Sequence, residues 1–298
     1  MREQLVGMGV ALITPFTADL GVDYSALERL VADVIEGGVD YLVVLGTTGE
    51  SATLSREEKD KILRCVAHSA RGQVPLVAGI GGNSTNAVLE DFKNTDLNGY
   101  SAILSVSPYY NKPTQEGIFR HFETLASKSP QPLILYNVPS RTGSNVLPET
   151  VQRLASACPN IIGIKESSGD LHQIQDVLSK VPDEFLVISG DDLTAVPCIL
   201  HGGAGVISVL GQGIPRVFSR MIHLARSGKG DEAMEIHNQI APLVDLIFQE
   251  GNPAGIKGLL EVRGLCSSFV RLPLVAPTSN LRRQIESFIK HQGLLPLA

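Results

Sequence analysis

The stretch YLVVLGTTGES, residues 41–51, joins an apolar run to a pair of threonines bounded by glycines. Tyr41 to Leu45 shows no polar alternation, which is the pattern of a parallel strand covered on both faces rather than a half-exposed antiparallel one. Gly46 and Gly49 supply the permissive backbone of a turn. Ser55 and Glu58 have the spacing of a capping box, so a helix is expected to start directly after them. Taken alone, Thr47 and Thr48 read as turn residues. They become site candidates if other strands end in the same way.

Working outward, short apolar runs recur as GVALITP from residue 9, YLVVLG from 41, VPLVAGI from 74, SAILSVSP from 101, PLILYNVP from 132, IIGIKES from 161, FLVISGDD from 185 and AGVISVLG from 204. Helical patterns lie between most of them. Tyr24 to Glu36, for example, places Leu27, Leu30, Val31, Val34 and Ile35 on one face. Strands alternating with helices imply a parallel sheet. Eight such units fit a closed (β/α)8 barrel better than an open doubly wound sheet, for which a GxGxxG fingerprint after the first strand is expected and absent. Beyond residue 213 the strand signal stops, and 215–227, 231–249, 253–263 and 279–291 read as helices. The expectation is an α/β chain with a TIM barrel over residues 1–213 and a C-terminal helical extension over 214–298.

Composition excludes other classes. With 298 residues, 43% hydrophobic and 19% charged, the chain can bury a large core. A net charge of −6 and no Lys/Arg cluster argue against nucleic acid as a partner. No apolar stretch reaches the roughly 18 residues of a membrane span, and no signal-peptide pattern opens the chain, so a cytoplasmic protein is expected. Cys65, Cys158, Cys198 and Cys266 lack metal-ligand spacing and read as core thiols of a reducing compartment. The seven histidines form neither HxH nor HExxH, so no metal is expected. GIGGNS at 79–84 is not followed by a Lys-Ser pair and reads as a βα turn rather than a phosphate cradle.

Polar residues cluster where the runs stop: Thr47-Thr48, Ser107-Pro108-Tyr109-Tyr110, Tyr136-Asn137, Lys165-Glu166-Ser167 and Gly190-Asp191-Asp192. In a barrel these ends converge on one face, where the active site sits. Lys165 is the most informative of them. Burial disfavours its ammonium form and frees the amine as a nucleophile toward carbonyl compounds. The structural alternative is a snorkelling lysine, or one paired with Glu166. Tyr136, ending the preceding strand, is either packing or a phenol that shuttles protons to that amine.

Together, GTTGES at 46–51, SPYYNKP at 107–113, YNVPSRTG at 136–143 and IIGIKESSGD at 161–170 resemble the dihydrodipicolinate synthase family of pyruvate-dependent, class I aldolase-like enzymes. SGDD at 189–192, GVISV at 205–209 and EGNPAGIKGLLEVRGL at 250–265 extend the resemblance over nearly the whole chain. It implies a TIM barrel in which Lys165 forms a Schiff base with pyruvate and Tyr136 moves protons. Thr47 and Tyr110 would complete a hydroxyl relay, with Tyr110 contributed across a subunit interface. The active unit would then be a homo-oligomer, at least a dimer and, by the same resemblance, a dimer of dimers. The implied substrate-binding set is Thr48, Arg141, Ile207 and Gly190, with the Thr48 hydroxyl and the Ile207 backbone on the pyruvate carboxylate. No cofactor is implied.

Sialic acid lyases and 2-keto-3-deoxy sugar acid aldolases share the lysine and tyrosine, so the second substrate turns on Arg141. A guanidinium grips a carboxylate with two hydrogen bonds, which suits L-aspartate 4-semialdehyde; in a Pro/Gly loop it also reads as a solvated surface charge. A non-catalytic binding barrel is the remaining alternative, and the intact residue set argues against it. In regulated relatives lysine binds beside the second tyrosine of the YY pair. Here Ser51, Ala52, Asn83 and Tyr109 would line that effector pocket. Ala87 stands where the resemblance places a glutamate, and Arg56 and Lys59 where it places histidines, so weak or absent inhibition by L-lysine is expected. Glu90 and Glu58 are the nearby carboxylates that would substitute for the missing glutamate.

Overall fold

The computed structural model describes residues 2–294. Seven of the eight apolar runs contain a strand and the first overlaps one that begins two residues earlier: β1 Gly7–Ala11, β2 Tyr41–Val44, β3 Leu76–Gly79, β4 Ala102–Val106, β5 Leu133–Asn137, β6 Ile161–Glu166, β7 Leu186–Ser189 and β8 Gly205–Ser208. Each pairs in parallel with the next, and β8 closes on β1. The result is the expected (β/α)8 barrel. Alternation divides the buried side chains into two cores. Ala11, Val43, Val77, Leu104, Ile134, Ile188 and Ile207 fill the barrel, whereas Val10, Leu42, Val44, Ile103, Leu135, Ile164 and Val187 face the helices.

The surrounding helices are α1 Tyr24–Glu36, α2 Arg56–Ala70, α3 Thr85–Asn94, α4 Gln115–Ala126, a single turn α5 Pro139–Thr142, α6 Pro148–Ala157, α7 Leu171–Lys180, α8 Ala195–Leu200 and α9 Pro215–Arg226. Asp23 caps α1 by accepting from the Ala26 N–H, and the helix buries Leu27, Leu30, Val31 and Val34, as its spacing predicts. The capping box on α2 is formed in both directions between Ser55 and Glu58. Next come α10 Gly230–Gln249, α11 Ala254–Val262 and α12 Ser279–Gln292. Because α9 packs on β1 and α1, it occupies the place of the eighth barrel helix. The expected break at 213 falls inside that unit, and we place the start of the extension at α10. No helix among the described residues is long and apolar enough to cross a membrane.

The extension is fastened to the barrel's carboxyl face by a buried ion pair. Lys257 on α11, fully shielded, donates from Nζ to Glu50 Oε1 at 2.6 Å and to the Phe269 carbonyl at 2.7 Å. The other oxygen of Glu50 accepts the Arg271 backbone N–H at 3.0 Å. Arg271 then pairs with Glu58 and donates to the Leu20 and Thr53 carbonyls. Lys257 Nζ and the Arg271 guanidinium both lie over the Phe16 ring, at 4.2 and 4.5 Å from its centroid. Burial pulls the Lys257 amine below the ordinary lysine value, and Glu50 opposes that shift.

Lys257→Met leaves the Glu50 carboxylate buried without a cation, at an expected cost of about 3–5 kcal/mol. Replacing both partners, as Glu50→Leu with Lys257→Met, is expected to recover most of that loss. Urea denaturation of the two variants checks this; a single variant within about 1 kcal/mol of the parent contradicts it.

Candidate active site

Strand register brings the two central residues together. Tyr136 of β5 pairs with Lys165 of β6, which pairs with Ile188 of β7, and the row points into the barrel. The Lys165 amine lies 4.4 Å from the centroid of the Tyr136 ring. Both are nearly shielded, at 5% and 7% exposure. Glu166, one residue on, faces the opposite way into the strand–helix layer. There its carboxylate accepts from Asn137 Nδ2, Gln173 Nε2 and the Ser168 N–H, each at 2.8 Å. Burial raises this carboxyl above the usual range. Lys165 therefore has no salt bridge among the described residues, and its pairing with Glu166 is excluded by alternation.

Space around Lys165 is set by Gly190. A Cβ there would meet Ser167 Oγ at 1.8 Å and Lys165 Cε at 2.7 Å, while the Gly190 N–H donates to the Glu166 carbonyl. Gly190 thus belongs to the site as a gap that the lysine and serine side chains fill.

The threonine turn follows from backbone geometry at the end of β2. Leu45 adopts φ of 63° and Glu50 φ of 52°, both left-handed values that cost energy in residues with a Cβ. Between them Thr47–Gly49 forms a 3-10 turn. Gly79 permits this course, since a Cβ there would strike the Leu45 carbonyl at 2.5 Å. Thr47 reaches the Tyr136 phenol, whereas the Thr48 hydroxyl is buried and accepts from Asn252 Nδ2 at 3.0 Å. The two hydroxyls serve different neighbours. Burial alone would raise the Tyr136 phenol, but the Lys165 cation, the Thr47 hydroxyl, the Arg141 charge and the Ser167 hydroxyl together bring it below the ordinary tyrosine value.

Arg141 stands exposed on α5, near enough to act on Tyr136, with Nη2 at 3.5 Å from the Asn252 carbonyl. Ile207 lies inside the barrel on β8, registered with Gly9 of β1. A cavity of about 70 Å³ lined by Thr47, Ser51, Gly81, Val106 and Tyr136 opens beside the phenol. Tyr110 is not brought to Tyr136 within one chain. It is 87% exposed, with a left-handed φ of 74°. Tyr109 is also exposed.

Of the effector set, Ser51 alone also lines a neighbouring cavity of about 140 Å³, together with Arg56, Lys59, Asp60 and Asp91. Sequence reading did not identify those two aspartates. Glu58 is committed to Arg271, which holds its carboxyl down at about 2, and Glu90 pairs with Lys93 on the exposed face of α3. Asn252, Glu50 and Lys257 were missed as contributors to the site, and Ser167 was noted only as one of the polar residues at the strand ends. The first three lie in the motifs GTTGES and EGNPAGIKG, which mark the segments but not their contact.

The family model for the dihydrodipicolinate synthetase family matches residues 4–292. The chain belongs to this family. Among dihydrodipicolinate synthetase relatives, the 4-hydroxy-tetrahydrodipicolinate synthase of Flavobacterium psychrophilum is 52% identical over 288 residues, covering 97% of this chain and 98% of that one. The crystal structure of dihydrodipicolinate synthase from Thermotoga maritima superposes with a TM-score of 0.95 at 37% identity, over 98% of this chain and all of that one. The chloride-inhibited enzyme from Acinetobacter baumannii, complexed with pyruvate, has a TM-score of 0.94 at 39% identity, with 98% and 100% covered. Among the described residues of this family member, no three His, Cys, Asp or Glu side chains are grouped to hold a metal.

Asp192 offers a pH-dependent test of how the site's floor is held. Its Oδ2 accepts the Leu210 and Val209 N–H groups at 2.8 and 3.3 Å, fixing the chain just after β8, and burial raises its carboxyl to about 6. The folded state therefore keeps this proton to higher pH than the unfolded chain. Stability falls as pH rises from about 4 to about 6, by about 3 kcal/mol at most. Asp192→Asn keeps an acceptor for Leu210 and is expected to flatten that slope. Denaturation midpoints across the window measure it, and parallel slopes for parent and variant contradict the assignment.

Proposed function

We propose that this protein condenses pyruvate with L-aspartate 4-semialdehyde, the activity of a 4-hydroxy-tetrahydrodipicolinate synthase, in the cytoplasm and without a cofactor. The observation that carries the reading is a buried lysine amine with no carboxylate partner among the described residues, set beside a phenol at the carboxyl end of adjacent barrel strands. The Lys165 amine adds to the pyruvate carbonyl carbon, and the carbinolamine expels its oxygen as water, leaving an iminium. Tyr136 supplies the proton that leaves with this water. The Tyr136 phenolate left behind takes a methyl proton, converting the iminium to an enamine whose carbon attacks the aldehyde.

Thr48 and the Ile207 backbone are read as holding the pyruvate carboxylate, with Gly190 keeping the space open. Arg141, exposed at the rim, is read as gripping the carboxylate of the semialdehyde. That choice favours an acidic aldehyde over a sugar. The relay from Tyr136 through Thr47 ends at Tyr110 of a second copy. The exposure and left-handed backbone of Tyr110 support this reading, and with it at least a dimer and a dimer-of-dimers assembly.

Borohydride added with pyruvate is expected to leave a reduced adduct on Lys165, located by peptide mass spectrometry. An adduct confined to another lysine overturns the mechanism. Arg141→Ala is expected to keep that adduct while kcat/KM for the semialdehyde falls about 10²-fold or more, and equal loss of the pyruvate adduct rejects the role given to Arg141. The parent and Arg141→Ala, assayed with sialic acid and 2-keto-3-deoxy sugar acids, separate the synthase from the sugar-acid aldolases.

For regulation, Ser51, Ala52, Asn83 and Tyr109 border the position an effector would take, but its nearest glutamates are already engaged. Glu58 serves Arg271 and Glu90 serves Lys93. Arg56 and Lys59 line the adjoining cavity as cations, balanced only by Asp60 and Asp91. L-lysine is expected to inhibit weakly or not at all at millimolar concentration. Half-inhibition well below 1 mM in a steady-state titration reverses this and points to Asp60 or Asp91 as the amine's partner.

A further inference from the structure

Ser167 follows β6 two residues after Lys165, so strand alternation turns both side chains to the same side. Its backbone is fixed, because the Ser167 N–H donates to the Asn137 carbonyl at 2.8 Å. Its hydroxyl is shielded from solvent and forms no hydrogen bond of ordinary length among the described residues. Such an orphan is costly unless something completes it. Two other serine hydroxyls, Ser105 and Ser107, are also shielded and unpartnered, but they alternate to the face of β4 opposite Val106, away from the barrel interior. Ser167 is different: its Oγ shares the small space over Gly190 with the Lys165 side chain. It is also one of the groups that act on the Tyr136 phenol.

We propose that Ser167 is a positioning residue for proton transfer at Tyr136, its O–H turned to the phenolate oxygen that remains when Tyr136 gives up its proton. The inference rests on the reading of Tyr136 as the proton carrier. The step balances without net change at the serine. Tyr136 O–H protonates the departing carbinolamine hydroxyl, water leaves, and the phenolate accepts hydrogen bonds from Thr47 and Ser167, both of which keep their protons. When the phenolate is reprotonated, the Ser167 hydroxyl is released. A hydroxyl with no close partner in the resting protein suits this role, because the phenolate formed during turnover is a much stronger acceptor than the neutral phenol.

The charged groups facing the phenol are few. Lys165 comes from β6 and Arg141 from α5. Glu166 lies on the other face, Asp191 is engaged by the Leu193 and Thr194 N–H groups, and Asp192 by those of Val209 and Leu210. The turn after β2 presents the Thr47 hydroxyl, its Glu50 being paired with Lys257, and β4 offers no charge. A change in Tyr136 ionisation on removing the Ser167 hydroxyl is therefore attributable to that hydroxyl.

Ultraviolet difference titration of the phenols in the full protein, with Tyr136→Phe subtracted, isolates the Tyr136 wave without any substrate. In Ser167→Ala that wave is expected to move up by about one pH unit, a tenfold weaker acid. The same variant is expected to lose about tenfold in kcat, with the matching limb of its pH profile moved upward, while KM for pyruvate and the borohydride adduct on Lys165 stay near the parent's. Ser167→Thr, which retains a hydroxyl, is expected to hold the wave near its original position. An unmoved wave in Ser167→Ala, or no wave assignable to Tyr136, overturns the proposal. A shifted wave in a protein that forms no pyruvate adduct keeps this inference and removes the substrate reading instead.

Discussion

The carboxyl face of this barrel depends on one desolvated contact, the Glu50 carboxylate against the Lys257 ammonium. It joins the end of β2 to a helix 207 positions away, and both partners are shielded. Such a pair adds little net stability over an apolar replacement, because removing two charges from water is expensive. Its contribution is geometric. Glu50 sits in a left-handed conformation directly after the turn that carries Thr47 and Thr48, and one side chain fixes that turn to α11 and, through the Arg271 backbone, to the segment beyond. Asn252, just before α11, completes the attachment by donating to Thr48.

Lys257 and Lys165 show how environment assigns different chemistry to the same side chain. Both are buried, and both lie near an aromatic ring. Lys257 has a carboxylate and a carbonyl in contact, so its amine is committed to holding two segments together. Lys165 has Tyr136, the open backbone of Gly190 and no carboxylate, which leaves its amine available for a carbonyl carbon. The glutamate next to it in sequence does not interfere, because a strand sends consecutive residues to opposite faces. Asn137, Gln173 and Ser168 keep that glutamate engaged elsewhere.

Local signals carried most of the fold. Strand runs, the α1 stripe and the Ser55–Glu58 box are short-range patterns, and each appears where its spacing puts it. The boundary at 213 was misleading for a physical reason: α9 has the same amphipathic pattern as the helices after it, and only its packing on β1 shows that it completes the barrel. At the site, Lys165, Tyr136 and Thr47 were legible because strand ends converge. Lys257, Asn252 and Arg271 were not, since a contact spanning two hundred residues leaves no periodicity. The left-handed turn at Leu45 was hidden as well, because leucine gives no hint of positive φ. Ser167 was visible only as one more polar residue at a strand end; its isolation depends on what surrounds it.

The span of the Glu50–Lys257 link also determines when this protein becomes competent during its synthesis. Seven of the eight strand pairings join neighbours in the chain, and the β1–β8 pairing that closes the barrel becomes possible once β8 has been made. The threonine turn has to wait for α11, which is translated near the end. Contacts between distant segments form last, after the intervening chain has paid its closure entropy. On the ribosome, a nascent chain whose β5 and β6 already set Tyr136 beside Lys165 would therefore keep an unattached threonine turn until α11 emerges.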